Sequence, residues 1–572
     1  MAPKVGVYVC HCGINIAHTV DVDEVARTAG ELPNVVVARN YIYMCSDPGQ
    51  QLIQNDIREL GLNRVVVASC SPRMHELTFR RVIQEAGLNP YFLHVANIRE
   101  QCSWVHPDRE SATEKAKGVV GAAVARASLL KPLEDRAVQV TPAALVLGGG
   151  IAGLQAALDI ADAGYSCYVV EKEPSLGGHV AQLATTFPTL DDMPTLLSEV
   201  VERVSAHPNI EVFTNSRLVA VDGFIGNFHI EVETVRAGSD QADKVELGAG
   251  AIVVATGFDT FDARLKPEFA YGLYDKVITG LELEASLSGS SQGEGSNPLN
   301  DGEIKDVVFI QCVGSRDRTL GNPYCSRVCC MYTAKQANVI KDQIPDADVT
   351  VFYMDVRAFT KGGEEFYDRA RGRGVRYRRG NPSEIYRRGD HLVVRSEDTL
   401  LQRTVEVEAD LVVLAVGLEP GKSGTEVSKM LKLACTGDGF MAEAHPKLRP
   451  VDTTSDGIFL AGTCQGPKDI PDTVAQAKAA AASALIPLSL GVAKVEAITS
   501  SILQELCAGC GLCETVCAYG ALSLHPWRGV MTINEVLCKG CGACSVACPS
   551  KAITLGHFTQ KQTLAMLDAM LE

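Results

Sequence analysis

An α/β chain of several domains is the fold class the sequence predicts, and three features predict it. Short apolar runs rich in β-branched residues alternate with helix-like stretches as far as about residue 490. A glycine-rich turn, LGGGIAG at 147–153, joins one such run to an alanine-rich helical stretch. Beyond about residue 498 the alternation gives way to two cysteine-rich segments, CAGCGLCETVCAYGALSL and CKGCGACSVACPSKAITL, which repeat one another. A length of 572 residues is too great for one core and calls for roughly three to five domains.

Residues 1–135 form the first expected domain. The runs VGVYV, VVVA, RVVVAS and YFLHVA read as strands, with DPGQQLIQNDIRELG as a helix between two of them. Cys10, Cys12, Cys45, Cys70 and Cys102 fall at strand ends or in adjoining loops, so they could gather at one sheet edge and bind a cluster. Their irregular spacing equally suits scattered buried cysteines. A helical stretch, TEKAKGVVGAAVARASLL, leads to the middle of the chain, where an outer unit (143–260 and 405–490) flanks an inner unit (261–404). SLSGSSQGEGSNPLNDG, at 286–302, reads as a surface linker, and RRGNPSEIYRRGDHLVVRS as a hairpin with a polar exterior. The last domain, 498–572, carries the cysteine repeat and ends in a helical tail.

Composition narrows the function. The formal charge of −16 disfavours a general binder of phosphate backbones, so nucleic acid is not an expected partner. No apolar run reaches membrane-spanning length, and MAPKVGVYVCHCG lacks the features of a signal peptide. A cytoplasmic location without membrane association is the expectation. Twenty cysteines in such a chain point to metal or redox chemistry, because a reducing cytosol does not maintain structural disulfides.

The repeat says which chemistry. Cys507, Cys510, Cys513 and Cys517, then Cys538, Cys541, Cys544 and Cys548, twice give C-x2-C-x2-C-x3-C. In this bacterial ferredoxin spacing three thiolates cap three corners of a [4Fe-4S] cube and the fourth reaches across to the other cube. Cys548 therefore joins the first three, and Cys517 joins Cys538, Cys541 and Cys544. Zinc ribbons use paired C-x2-C knuckles, and C-x2-C-x2-C is too compact for them. Pro549 follows the last cysteine as the pattern expects, whereas Ala518 departs from it.

ALVLGGGIAGLQAALDIADAGYSCYVVEK places Gly148, Gly150 and Gly153 between a buried strand and a helix, with Glu171 and Lys172 at the end of the next strand. The first two glycines permit a tight turn and close approach to a pyrophosphate, the third lets helix and strand pack, and Glu171 suits a ribose hydroxyl. Three further segments resemble the FAD contacts of the two-dinucleotide disulfide-reductase fold. They are SLGGHV with Gly177 and Gly178, IVVATGF with Thr256 and Gly257, and GIFLAGTCQGPKDIPDT with Gly462 and Asp469. FAD is favoured over NAD at this site.

That fold binds NAD(P)H through a second glycine-rich loop in its inner unit. Here strand VVFI runs instead into QCVGSRDRTLGNPYCSRVCCMYTAKQA, which has no such loop and carries Cys312, Cys325, Cys329 and Cys330. Four thiols spaced C-x12-C-x3-C-C can converge on one metal site beside the flavin. Buried core cysteines, or a reducible pair of the thioredoxin reductase kind, are the alternatives. Lys335, on the helix that Cys329 and Cys330 begin, could place a positive charge near the flavin, or could be a solvated helix lysine.

VCHCGINIA, YMCSDPGQ, ASCSPRMHE, NIREQCSWVH, GGGIAG, CVGSRD with YCSRVCCMYTAKQA, and the double ferredoxin repeat together closely resemble the A subunits of heterodisulfide reductases and their bacterial relatives. The resemblance spans nearly the whole chain. It implies a thioredoxin-reductase-like two-dinucleotide flavoprotein core between an N-terminal α/β domain and a C-terminal double-cluster ferredoxin domain. It also implies FAD at the Gly148 loop, a [4Fe-4S] cluster on Cys312, Cys325, Cys329 and Cys330, and a multi-subunit complex. The partners so implied are B- and C-like subunits, a hydrogenase, formate dehydrogenase or NADH-oxidising input subunit, and ferredoxin, in a dimer of heteromers. The expected activity is flavin-based electron bifurcation between a two-electron donor, a disulfide-type acceptor and ferredoxin. Simple electron relay in a sulfur-metabolism or aromatic-ring-reductase complex is the alternative. Longer archaeal relatives carry an inserted ferredoxin module for which this sequence has no cysteines.

Overall fold

The computed structural model describes residues 2–134, 136–235, 242–287 and 304–571. Beyond Leu287, the linker expected at 286–302 lies outside the described residues. The chain divides into two compact units, Met1–Ala137 with Lys494–Glu572, and Val138–Ala493. Among the described residues no helix is long and apolar enough to cross a membrane.

In the first unit, Val5–Cys10 lies between Val35–Tyr41 and Arg64–Ser69, with Leu93–Asn97 beyond the latter, in a parallel four-stranded sheet. Val5–Cys10 is buried along its whole length because both faces of a parallel sheet are covered. Parallel strands all end at one edge. Cys10 and Cys70 are therefore delivered to the same edge, with Cys12 and Cys45 in the loops that leave it.

The long helix Arg109–Ser128 begins at Asp108, whose carboxylate accepts the Ser111 N–H at 2.8 Å. It packs against the tail helix Gln560–Leu571. At Gly121 the helices come close, and a Cβ there would make an ordinary van der Waals contact, 3.5 Å from Ala569 O. Arg126, buried in this interface, donates from Nε to His557 O at 2.9 Å and lies 3.8 Å over the Phe558 ring. The stretches read as separate first and last domains, 1–135 and 498–572, thus share one compact unit. Within the ferredoxin-like part, Ser500–Ile502 pairs with Ile553–Leu555, and Leu522–Leu524 with Met531–Ile533.

The second unit repeats one architecture. One parallel sheet orders Ile458–Leu460, Ala251–Val254, Ala143–Leu147, Ser166–Val170 and Ile210–Phe213. The other orders Val277–Thr279, Leu411–Val416, Asp306–Val313, Asp348–Tyr353 and Arg376–Arg379. Each is accompanied by a three-stranded antiparallel sheet, the second of which contains the expected hairpin as Pro382–Arg388 and His391–Asp398. In both parallel sheets a central strand feeds a helix: Ala143–Leu147 feeds Ile151–Asp162, and Asp306–Val313 feeds Cys329–Gln343. The cysteine-bearing segment therefore occupies the position of a phosphate loop.

One boundary needs correction. The outer unit was expected to resume at residue 405, but Arg403–Ala409 pairs with His391–Asp398, and Leu411–Val416 lies in the inner sheet. An apolar run such as LVVLAV suits any buried parallel strand, so its sheet is fixed by tertiary pairing that the run itself does not encode. The outer sheet is rejoined at Ile458–Leu460.

Candidate redox centre

The glycine turn has the form of a pyrophosphate cradle. Gly148 has φ +110°, and a Cβ there would stand 2.3 Å from Ala255 O, so only glycine fits. A Cβ on Gly153 would stand 1.8 Å from Gly148 O, which is how the helix comes so near the turn. Gly150, at the N-cap of Ile151–Asp162, faces the other way: a Cβ there would meet nothing within 4 Å. The open side of the turn thus coincides with a helix N-terminus, where unpaired N–H groups favour an anion. Glu171 closes the base, its Oε2 accepting the Gly149 N–H at 2.6 Å and its Oε1 the Glu173 N–H at 2.9 Å. Lys172 beside it is exposed and lies 3.8 Å from Glu173.

The other predicted segments converge on this turn. The Gly177 N–H donates to Gly149 O at 2.8 Å, and a Cβ on Gly178 would lie 3.2 Å from Gly150 Cα. Thr256 and Gly257 leave the neighbouring strand and line a small cavity with Gly424, Ser428, Met441 and Cys464. Thr256 Oγ1 is buried without a hydrogen-bond partner among the described residues, as expected of a group reserved for a ligand. Gly462 packs against Ala152 of the glycine-loop helix, and Asp469 caps Ile470–Leu490 by accepting the Asp472 N–H at 2.9 Å. The orphaned hydroxyl and the open cradle fit FAD.

Sequence reasoning missed Lys468. Its ammonium is buried in this loop, donating to Gly462 O at 2.8 Å, Gly466 O at 2.7 Å and Gln465 Oε1 at 3.1 Å. Burial pulls its pKa down to about 8. Nothing in PKDI distinguishes such a lysine from a solvated one.

Cys312, Cys325, Cys329 and Cys330 are brought together. Cys312 interrupts its strand at a bulge, in the left-handed conformation at φ +60°. Burial pushes its thiol up to about 12, reinforced by Cys330 and opposed by Arg316. Burial likewise raises Cys329 far above the usual thiol range, and the charges of Cys312, Cys330 and Cys325 add to it. Thiols so close together, with Cys329 and Cys330 buried, resist carrying charge together unless a cationic group binds them, and the iron of a cube would supply that charge. Arg316 and Arg357 place further positive charge near Cys312 and Cys325, while each guanidinium hydrogen-bonds Asp355 Oδ1, at 2.7 Å and 3.1 Å. All four cysteines are free. Cys329 and Cys330, neighbours on the first helical turn, make different sulfur contacts, to Val416 O at 3.8 Å and to Gln311 Oε1 at 3.5 Å. The set fits a cluster better than a single reducible pair.

Arg327 ties this set to the flavin loop. Its N–H donates to Cys325 Sγ at 3.3 Å, and its guanidinium donates to Pro467 O at 3.3 Å and Asp472 Oδ2 at 2.9 Å.

Lys335 is neither solvated nor a free cation. It is 2% exposed, with Nζ 2.6 Å from Glu284 Oε1 and donating to Thr185 O at 2.9 Å. Glu284 also accepts the Ala184 N–H at 3.2 Å and Gln336 Nε2 at 2.7 Å, which holds the pair against the segment that follows Gly178. Glu284 escaped the sequence reading because it stands at the edge of the expected linker. Glu284→Gln leaves the lysine charge buried without its partner, and is expected to cost about 3–5 kcal/mol of stability. Chemical denaturation should show this as a lower midpoint, with much of the loss recovered in a Glu284→Leu, Lys335→Met double variant.

At the N-terminal sheet edge, Cys10, Cys12, Cys45 and Cys70 are electrostatically coupled. Cys10 Sγ accepts the N–H groups of Cys12 at 3.3 Å and Met44 at 3.4 Å, and Arg99 reaches Cys12 Sγ at 3.6 Å. Cys102 departs from the expected gathering: it is fully buried in the apolar core with Ile98, Ala112 and Ala116, a core that Cys12 packs against, and it is not electrostatically coupled to the other four cysteines. Its segment, Arg99–Ser103, is helical and turns the side chain inward. In the ferredoxin-like part, backbone N–H groups also point at sulfur, to Cys507, Cys517 and Cys538. Cys513 and Cys544 pack together in its core, with Cys507, Cys517 and Cys548 against them, while Cys510 and Cys541 are exposed. Among the described residues no three His, Cys, Asp or Glu side chains converge on one ion. A cube does not ask for that, since each of its thiolates binds a different iron.

Residues 142–484 match the pyridine nucleotide-disulphide oxidoreductase family, and residues 506–562 the 4Fe-4S dicluster domain. The chain is thus a flavin-dependent, iron–sulfur oxidoreductase by class. The A subunit of the H(2):CoB-CoM heterodisulfide,ferredoxin reductase of Methanothermobacter marburgensis is 47% identical, with 100% of this chain and 97% of that one covered. The second of the iron-sulfur A subunits of CoB--CoM heterodisulfide reductase in Methanopyrus kandleri is also 47% identical, with 91% of each covered. Thioredoxin reductase of T. acidophilum, a solved structure, is 16% identical over 61% of this chain and 98% of its own, with a TM-score of 0.42. The chain belongs to the family of heterodisulfide reductase A subunits.

Proposed function

We propose that the chain is the flavin and iron–sulfur subunit of a heterodisulfide-reductase-like complex that bifurcates electrons. A two-electron donor supplies a pair, one electron leaves toward a disulfide-type acceptor and the other toward ferredoxin. Relatives named as ferredoxin-coupled reductases using H2, or H2 or formate, support the input and output classes. The observation that carries the reading is the Arg327 bridge between the flavin loop and the cysteine set.

FAD, held by the Gly148–Gly153 turn, Glu171, Gly177, Gly178, Thr256, Gly257 and the Gly462–Asp469 loop, supplies the change from electron pairs to single electrons. Cys312, Cys325, Cys329 and Cys330 hold a one-electron acceptor next to it. The Lys335–Glu284 pair keeps a proton at Nζ in a dry site and presents a compensated charge rather than a bare one. Cys10, Cys12, Cys45 and Cys70 hold a further cluster, and the eight C-terminal cysteines hold two that face other subunits. The partners are B- and C-like subunits with a hydrogenase, formate dehydrogenase or NADH-oxidising input subunit, in a cytoplasmic dimer of heteromers.

The isolated chain should not take electrons from NAD(P)H directly, because a cysteine set replaces the second nucleotide loop. Anaerobic mixing with NADH should leave the flavin absorbance unbleached, whereas the intact complex with its own donor should bleach it. Direct bleaching of the isolated chain by NADH would overturn the reading.

A further inference from the structure

The two halves of the ferredoxin-like part differ at a buried position that touches the cysteines. Ser500 and Met531 hold equivalent places ahead of the two cysteine segments, each opening a short strand. Each donates its backbone N–H to a sulfur of the opposite half, Ser500 to Cys538 at 3.4 Å and Met531 to Cys507 at 3.3 Å. The side chains then diverge. Ser500 is 1% exposed and places its hydroxyl 3.3 Å from Cys544 Sγ, whereas Met531 packs an apolar chain in the core that contains Cys513.

A thiolate bound to iron carries no proton, so the serine hydroxyl must be the donor. Its effect has a direction. Reduction makes a cube more negative; hydrogen bonds to its sulfurs favour that state, and burial disfavours it. The cube expected on Cys517, Cys538, Cys541 and Cys544 is the more buried, since Cys538 and Cys544 are both buried while Cys513 alone is buried in the other set. The other set has a hydroxyl neighbour too, Ser550 at 3.6 Å from Cys548 Sγ, but it is exposed and water competes for it.

We propose that Ser500 is a positioning residue whose hydroxyl raises the potential of the cube on Cys517, Cys538, Cys541 and Cys544, offsetting the cost of its deeper burial. The two cubes are thereby kept close enough in potential to exchange an electron. One electron leaves one cube, oxidising it, and enters the other, reducing it, while the serine proton stays on Oγ. This rests on the assignment of two cubes to the eight C-terminal cysteines.

The test is an EPR-monitored redox titration of the full chain, with iron analysis, in which the pair is recognised by the magnetic coupling of two adjacent reduced cubes. Ser500→Ala should move one midpoint of the pair to lower potential and leave the other in place, and Ser500→Thr should restore it. Met531→Ser should raise the other midpoint. Unmoved midpoints in both Ser500→Ala and Met531→Ser, with iron retained, would overturn the role of Ser500 and leave the cubes standing. Absence of any coupled pair in the native chain would overturn the cube assignment itself. If Ser500→Ala loses iron, Met531→Ser decides: an upward shift of one midpoint supports the proposal, and no shift overturns it.

Discussion

Cys329→Ser is expected to remove the inner cluster while leaving FAD bound. The iron content should fall by about four atoms per chain, one cube's worth, with the flavin-to-protein ratio unchanged. Cys329 is the most deeply buried of its set, and it opens the helix Cys329–Gln343. The flavin cradle is made by other elements, the turn after Ala143–Leu147 and the loop before Ile470–Leu490, so its geometry does not depend on that sulfur. In the intact complex, transfer out of the reduced flavin should stop on at least one branch. Cys435→Ser, at an exposed cysteine outside every set, should change neither quantity. Full coupled reduction of both acceptors by a variant that has lost the cluster would return the four cysteines to a structural role.

Gly153→Val should have the opposite signature, loss of flavin with iron retained. Its Cβ would sit 1.8 Å from Gly148 O, a backbone atom that no rotamer change can move aside. The helix must retreat from the turn, and overpacking of this kind costs about 1–3 kcal/mol or more. Taken from the binding energy, that weakens FAD by roughly fivefold to more than a hundredfold. Gly150→Ala is the informative partner, because its Cβ meets no protein atom within 4 Å. It should leave the fold and melting behaviour untouched yet weaken FAD, since the only thing it crowds is the ligand. Flavin fluorescence after denaturation, measured against protein and iron, separates these cases.

These two sites were legible in the sequence to different depths, for a physical reason. The Gly148 turn and the ferredoxin repeat are local: the residues that meet lie within one strand–turn–helix or one short segment, so spacing encodes geometry. The Cys312–Cys330 set was legible because it interrupts a strand–helix unit at the place where the duplicated fold puts its loop. Cys10, Cys12, Cys45 and Cys70 meet only because three parallel strands end at one edge, and Cys102, beyond the fourth, looked the same on paper but turns into the core. Glu284 and Ser500 were invisible for a related reason. Each acts on a partner far along the chain, Lys335 and Cys544, through a contact that exists only after folding. The return of the chain to its outer sheet was misplaced because a fully apolar strand carries no mark of which sheet will take it.

Coupled electron delivery by the intact complex, purified anaerobically and given its two-electron donor, distinguishes bifurcation from simple relay. Ferredoxin should be reduced only while the disulfide-type acceptor is also being reduced, with equal numbers of electrons reaching each. Reduction of the disulfide acceptor at full rate and full yield while ferredoxin stays oxidised would contradict it, and would make the chain an electron relay.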